Sequence, residues 1–320
     1  MDNLTIWQKP AGSCERFFLP VYGGGAELPV TILTGAQPGP KVVVSAGVHC
    51  AEYVGIQAVN ELSAELLPKK LCGTLVLLHL MNPTGFANRT MSMVYEDGKN
   101  LNRVFPGDSE GTLADRIAYT VSQTLLAEAD AYIDLHSGDG YEELTPYVYY
   151  QAAEEPDIMA RSRAMAAHVD VPYMVPSRVN SGEAYHGAAL FGVPAILIER
   201  GGLGVWRQRE VNACKKDVRN VLRFLGLLDG KPEERRHTPA QEFAEAVYAK
   251  AEHTGCWYPR KKVGESIAAG ELLGEVRDCF GSLLQSCHAM SDGVLLYQVR
   301  SLNVLQDGTL LAYGLIAPRT

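Results

Sequence analysis

The sequence predicts an α/β domain followed by a smaller all-β domain, and three observations carry that expectation. Four apolar runs, around Val42–Val44 and over 74–82, 131–136 and 192–202, read as buried strands and alternate with stretches of helical periodicity. Residues 230–239, GKPEERRHTP, form a short charged segment flanked by proline, the clearest boundary in the chain. Beyond it the helical periodicity disappears, and short β-type runs are punctuated by Gly255, Gly264, Gly270, Gly281, Gly293 and Gly308. The expected organisation is a domain over 1–229, a linker over 230–239 and a β-rich domain over 240–320.

Residues 1–40 read as a β-rich lead-in, in which Gly23-Gly24-Gly25 joins FFLPVY to LPVTILTG as a hairpin. The strand containing Val42, Val43 and Val44 ends at Ser45-Ala46-Gly47, and Val54, Ile56, Val59, Leu62 and Leu66 then mark a helix. Gly73 introduces TLVLLHLMN, whose His79 reads as a core histidine. Residues 83–112 lack periodicity, and a loop of that length in a compact domain usually serves function. Thr112 caps an expected helix over 113–128, and AYIDLH over 131–136 is the third strand. A helix over 155–169, the run VPYMV, a helix over 183–191, the fourth strand and an amphipathic helix over 207–228 complete the domain.

Composition excludes several functions. With 47% apolar and 21% charged residues the chain is ordinary for a soluble protein. A net charge of -8, with no basic cluster beyond Arg260-Lys261-Lys262, disfavours nucleic acid. No apolar run reaches membrane-span length, and MDNLTIWQKP lacks the basic and apolar regions of a secretory signal. The seven cysteines include no C-x-x-C and read as reduced thiols of a cytoplasmic protein, Cys50 among them as a small packing residue. No G-x-S-x-G elbow points to a serine hydrolase.

The chemistry-bearing residues collect at strand ends. His49 and Glu52, three apart where a strand gives way to a helix, can converge on one point, and zinc accepts that pair with at least one further ligand. An isolated H-x-x-E is common by chance, so its weight comes from later residues. His136 ends the third strand and is the natural third ligand. Asp134 shares its face and can fix the tautomer of a ligating histidine; a structural Asp at a strand end is the competing account. Glu199 is the first charged residue at the end of the fourth strand, where a carboxylate is costly unless paired or used, as by a general base beside a metal. Asn102-Arg103, within DGKNLNRVFPG, sets an amide beside a fork that fits a carboxylate; alone it would read as a solvated loop arginine.

Together GVHCAEYVG, DGKNLNRVFPG, DLHSG and GVPAILIERGG resemble, in order, the motifs of the succinylglutamate desuccinylase/aspartoacylase branch of the zinc carboxypeptidase superfamily. The resemblance spans nearly the whole chain. It implies a zinc-carboxypeptidase-like mixed sheet flanked by helices, with an all-β, barrel-sandwich-like C-terminal domain. GESIAAGELLGEV and SDGVLLYQVRSLNVLQDGTLLAYG look like hairpins of biotinyl/lipoyl domains, but no lysine occupies a hairpin tip as a carrier needs. The resemblance implies one zinc per chain on His49, Glu52 and His136, Glu199 as catalytic glutamate, and Asn102 and Arg103 on a substrate carboxylate. It places Arg89 as oxyanion support. Tyr185 and His186 replace an arginine present before G-A-A in many relatives and are expected to face the acyl or side-chain pocket.

The implied activity is metal-dependent hydrolysis of a carbon–nitrogen bond in a linear amide, on a small N-acyl amino acid. The expected protein is cytoplasmic, engages neither nucleic acid nor membrane, and leaves room for a homo-oligomer. A metallocarboxypeptidase acting on short peptides and a non-catalytic binding protein are the alternatives.

Overall fold

In the computed structural model, which describes residues 4–179 and 182–316, the apolar runs of the first three quarters of the chain join one nine-stranded sheet. Its elements in chain order are α1 (Leu4–Trp7), β1 (Cys14–Pro20), β2 (Glu27–Thr34), β3 (Gln37–Ala46), α2 (Tyr53–Glu65), β4 (Cys72–Leu78) and α3 (Pro83–Asn88). Then come α4 (Leu113–Val121), β5 (Ala131–His136), β6 (Glu142–Leu144), β7 (Tyr147–Ala152), α5 (Pro156–Ala166), β8 (Tyr173–Arg178), α6 (Ala184–Ala189), β9 (Ala195–Glu199), α7 (Gln208–Phe224) and β10 (Gln241–Glu242). The strand order is β1-β2-β4-β3-β5-β9-β7-β8-β10. Strands β4, β3, β5 and β9 run parallel, while β1, β2 and β7 add antiparallel pairings.

Successive side chains of a strand point to opposite faces, and the central strands are apolar on both. Val42, Val44, Ile133, Leu135, Ile196 and Ile198 pack with residues of α2, α5 and α7. Val43, Tyr132, Ala195 and Leu197 join the opposite core with residues of α1, α4 and α6. Each fully buried aliphatic side chain of this kind contributes about 1.5–3 kcal/mol. The parallel strands therefore sit at the centre, and their carboxyl ends open to one side.

The remaining strands are β11 (Ala246–Lys250), β12 (Gly255–Pro259), β13 (Ser266–Ile267), β14 (Leu272–Arg277), β15 (Leu283–His288), β16 (Gly293–Val299), β17 (Asn303–Val304) and β18 (Thr309–Leu315). They form two antiparallel sheets, β11-β18-β16-β13 and β15-β14-β12-β17. Trp257, Leu273, Val276, Leu295, Leu310 and Tyr313 share their core. The two parts of the chain are stitched together. Strand β6 pairs with β16, setting Leu144 opposite Tyr297 and Glu142 opposite Val299. Strand β10, just past the charged segment, pairs with β8.

The expected helices over 155–169, 183–191 and 207–228 are present with shorter ends, as α5, α6 and α7. The helix over 113–128 is α4, prolonged by a π turn over Ser122–Leu126. The long loop over 83–112 contains α3 and a 3-10 turn at Leu101–Arg103. Strand β7 went unforeseen: YVYYQA carries the aromatic and β-branched composition of a strand but is buried on both faces, so it shows no alternation. His79 lies just past β4, held by Thr31 and Asn60, as a structural histidine. All seven cysteines are free, and the buried Cys50 thiol donates to the Met91 carbonyl at 2.7 Å. Among the described residues no helix is long and apolar enough to cross a membrane.

Candidate metal centre and substrate cleft

The carboxyl ends of parallel strands are where α/β sheets bind ligands, and three adjacent strands deliver side chains there. After β3 the chain turns at Gly47, whose φ of 70° is a conformation that favours glycine, and a Cβ there would fall 2.7 Å from Leu80 Cδ1. That turn leads to His49. Glu52 occupies the N-cap of α2, yet its carboxylate makes no cap bond to the helix. His136 and Glu199 end β5 and β9 opposite each other in register. One ligand atom from each of His49, Glu52 and His136 lies within 4.8 Å of the others.

The hydrogen bonds around these rings fix their protonation. Asn100 Oδ1 accepts from the Asn102 backbone N–H at 2.9 Å and lies 3.2 Å from His49 Nε2. That nitrogen must therefore carry the hydrogen. Asp134 Oδ2, 3.2 Å from His136 Nε2, likewise requires a donor. A neutral ring then has a bare Nδ1. His49 Nδ1 lies 2.7 Å from Glu52 Oε1, and His136 Nδ1 lies 3.0 Å from Glu52 Oε2. Two lone pairs facing a carboxylate call for a positive charge among them. Burial opposes charge on both partners, yet the carboxylates of Glu52 and Asp134 hold His136 well above the usual histidine range. His136 and His49 in turn hold Glu52 down at about 2. Two imidazoles with outward-anchored N–H groups and one carboxylate are a donor set that zinc takes in three-ligand hydrolytic sites. The residues present fit such an ion.

A second tier holds the first. Asp134 is fully buried and accepts from Ser45 Oγ at 2.7 Å, and Ser45 Oγ lies 2.6 Å from the Tyr132 hydroxyl. Glu52 Oε2 also accepts from the Ser137 N–H at 3.0 Å. Sequence reasoning found Asp134 but missed Asn100, Ser45 and Tyr132.

Glu199 stands beside this cluster, half-buried and lining the cleft, with its Oε2 shielded from solvent without a hydrogen-bond partner. Burial pushes its pKa up to about 8; His136 pulls against that, and Glu52 and Glu142 add to it. Burial, Asp139 and Glu52 together bring Glu142 to about 7. Glu142 accepts from the Tyr297 hydroxyl at 2.6 Å and from the Asp139 N–H at 3.1 Å. Neither Glu142 nor Tyr297 was anticipated.

These groups line a cleft of about 720 Å³ whose other wall belongs to the C-terminal sheets, through Tyr248, Tyr297 and most of the residues in 301–309. That volume suits a small ligand, for which pockets of about 300–1,000 Å³ are usual. Asn102 lines it, and its Oδ1 accepts from the Ala184 N–H at 2.8 Å, tying the loop to the start of α6. Arg103 lines it too, half exposed, donating to the Asn102 carbonyl at 2.7 Å and lying 3.4 Å from Glu183 Oε1. Tyr185 is buried along the same wall. His186 instead turns behind it to Ser177, 3.1 Å from Nε2, and does not line the cleft. Arg89 ends α3 with φ 56°, and its side chain is exposed and stands outside the cleft lining.

The succinylglutamate desuccinylase/aspartoacylase catalytic domain matches residues 38–225, which contain every one of these residues except Tyr248, Tyr297 and 301–309. The N-alpha-acetyl-L-2,4-diaminobutyric acid deacetylase of Halomonas elongata is 28% identical over 280 residues, covering 85% of this chain and 81% of that protein. The product-bound ectoine utilization protein EutE from Ruegeria pomeroyi superposes with a TM-score of 0.85 at 25% identity, over 97% of this chain and 98% of that one. A succinylglutamate desuccinylase/aspartoacylase structure from Rhodobacter sphaeroides gives 0.84 at 24% identity over 97% of both chains and shares the fold.

Proposed function

As the chain belongs to the succinylglutamate desuccinylase/aspartoacylase family, we propose that it is a zinc-dependent hydrolase of the amide bond in a small N-acyl amino acid. The products are a free amino acid and a carboxylic acid. The observation that carries this reading is the convergence of His49 Nδ1 and His136 Nδ1 on the Glu52 carboxylate, with the shielded Glu199 Oε2 beside them. The deacetylase relative, named for an N-acetylated amino acid, supports the class.

Zinc held by His49, Glu52 and His136 would lower the pKa of water to about 7 and polarise the scissile carbonyl. The chain's own residues do the rest. Glu199 takes a proton from the attacking water and returns it to the departing amine. Its raised pKa suits both tasks, because a group that titrates near the working pH both accepts and donates. Asp134 and Asn100 keep the two imidazoles in the ligating tautomer. Arg103, with Asn102 beside it, takes the substrate carboxylate, in exchange for the contact with Glu183. Arg89, exposed outside the cleft, has no part in this scheme. The C-terminal wall over 301–309 favours small substrates over extended peptides.

The test is hydrolysis of a panel of N-acetyl and N-succinyl amino acids and dipeptides by the zinc-loaded protein. Release of a free amino acid from an N-acyl substrate supports the reading; activity confined to dipeptides moves the chain to the carboxypeptidases.

A further inference from the structure

The charges around the cleft are strongly unequal. Among its described lining residues, Arg103 is the one lysine or arginine. Six carboxylates line it: Glu52 and Glu199 belong to the centre, and Asp139, Glu142, Glu183 and Asp307 remain. Glu183 stands at the Arg103 end, 3.4 Å from the guanidinium. Glu142 and Asp139 stand toward the C-terminal sheets, where no lysine or arginine among the described lining residues meets them and His49 is the one cation that acts on Asp139.

This acidic end is built rigidly. Glu142 lies on β6, which is a strand of the C-terminal sheet by its pairing with β16. Tyr297 of β16 donates to its Oε1 at 2.6 Å, and the Asp139 N–H donates to its Oε2 at 3.1 Å. Asp139 Oδ1 accepts from the Tyr141 N–H at 2.9 Å. The Arg300 N–H bonds the Tyr141 carbonyl at 2.6 Å, closing the stitch. These carboxylates are thus held in place by hydroxyl and amide donors, and none of their partners carries a charge. Half-buried carboxylates whose hydrogen-bond donors are all neutral are costly, and a cationic ligand group relieves that cost. Glu199 Oε2, shielded and unpartnered, faces the same space. Tyr147 and Tyr297 line the same cleft, and aromatic faces attract cations.

We propose that the cleft selects N-acyl amino acids with a positively charged side chain, with Arg103 and Asn102 taking the α-carboxylate and Glu142 and Asp139 the side-chain ammonium. The inference rests on the deacylase reading and names its substrate class. A substrate with a second carboxylate, in its acyl group or its side chain, would place it against Glu142 and Asp139 with no second cation to receive it. Like charges set face to face are a strong device for rejecting wrong partners.

The experiment compares kcat/KM of the zinc-loaded protein for Nα-acetylornithine, its neutral counterpart N-acetylnorvaline, N-acetylglutamate and N-succinylglutamate. The expected order is ornithine at least tenfold above norvaline, with both dicarboxylates below norvaline. Glu142→Gln and Asp139→Asn should each bring the ornithine-to-norvaline ratio to within about threefold, through a higher KM for the cationic substrate. A neutral or acidic preference in the wild type, or an unchanged ratio in both variants, overturns the inference and leaves the deacylase reading standing. Binding of free ornithine against norvaline to the wild-type protein, by calorimetry, supplies the same comparison without variants. If nothing is hydrolysed the deacylase reading falls, and equal binding of the two amino acids then refutes the charge preference by itself.

Discussion

Replacing Glu199 with Gln preserves the shape of the side chain and removes the proposed proton acceptor beside the candidate metal centre. Positioned general bases are worth about 10²–10⁴-fold in rate, so kcat should fall by that factor while zinc binding persists. The same substitution has a stability consequence of definite sign. The Glu199 pKa is raised from 4.5 to about 8, so the folded chain holds a proton that the unfolded chain has lost. Below the unfolded value the two states agree and the group costs nothing. Above it the penalty grows with pH and levels off beyond the folded value. At pH 7 the ceiling is roughly 3 kcal/mol. The side chain is only half-buried, and solvent in the cleft reduces this to about 1–3 kcal/mol. In chelator, Glu199→Gln should therefore melt about 2–4 °C above the wild type at pH 8, from the usual entropy of unfolding per residue. The difference should vanish near pH 4.5 and shrink on adding zinc, whose charge stabilises the wild-type carboxylate. Thermal melts across pH, paired with kcat on an N-acyl amino acid, read both effects. A variant with kcat within threefold of wild type, or a melting difference independent of pH, would refute the reasoning.

Four further outcomes follow from the same geometry. Asp134→Asn weakens the anchor on His136 Nε2 and should lower zinc affinity about 10–100-fold, read by competition with a chelating dye. Arg103→Lys keeps the charge but loses the planar fork, so KM should rise at least tenfold with kcat little changed in steady-state assays. Arg89→Ala should leave kcat within twofold, because the side chain is exposed outside the cleft; a hundredfold loss would return it to the oxyanion role expected from the sequence. The kcat/KM profile of the zinc-loaded enzyme should rise with pH through an apparent pKa below 8, as Glu199 deprotonates, and Glu199→Gln should abolish that limb.

Much of the centre could be read from the chain because its residues are local to strand ends. His49 and Glu52 are separated by one turn, and His136 and Glu199 are the last residues of two runs that are visibly strands. Apolar strands that stop at a polar residue announce where a sheet opens, and parallel packing then brings those stops together. What escaped depends on contacts between distant residues. Asn100 reaches His49 across 51 positions, and Tyr297 reaches Glu142 across 155. No periodicity encodes such pairs. Glu142 comes into play because β6 joins the sheet of the other part of the chain, a pairing of three residues too short to leave a pattern. Arg89 illustrates the opposite case. The resemblance places an oxyanion-supporting arginine at its position, but Arg89 ends α3 in a left-handed conformation with its side chain exposed, outside the cleft. The resemblance sets both Tyr185 and His186 toward the pocket, but successive residues of a helix face different ways, and of the two Tyr185 lines the cleft.

The central claim is that one divalent ion on His49, Glu52 and His136 is required to hydrolyse an N-acyl amino acid. It is tested most directly by titrating zinc into chelated protein while following amino-acid release in the same sample. The account predicts activity that rises linearly to one zinc per chain and then levels off, and no recovery in His49→Ala. Full activity in the chelated protein, or one bound zinc with no hydrolysis of any N-acyl amino acid, would contradict it.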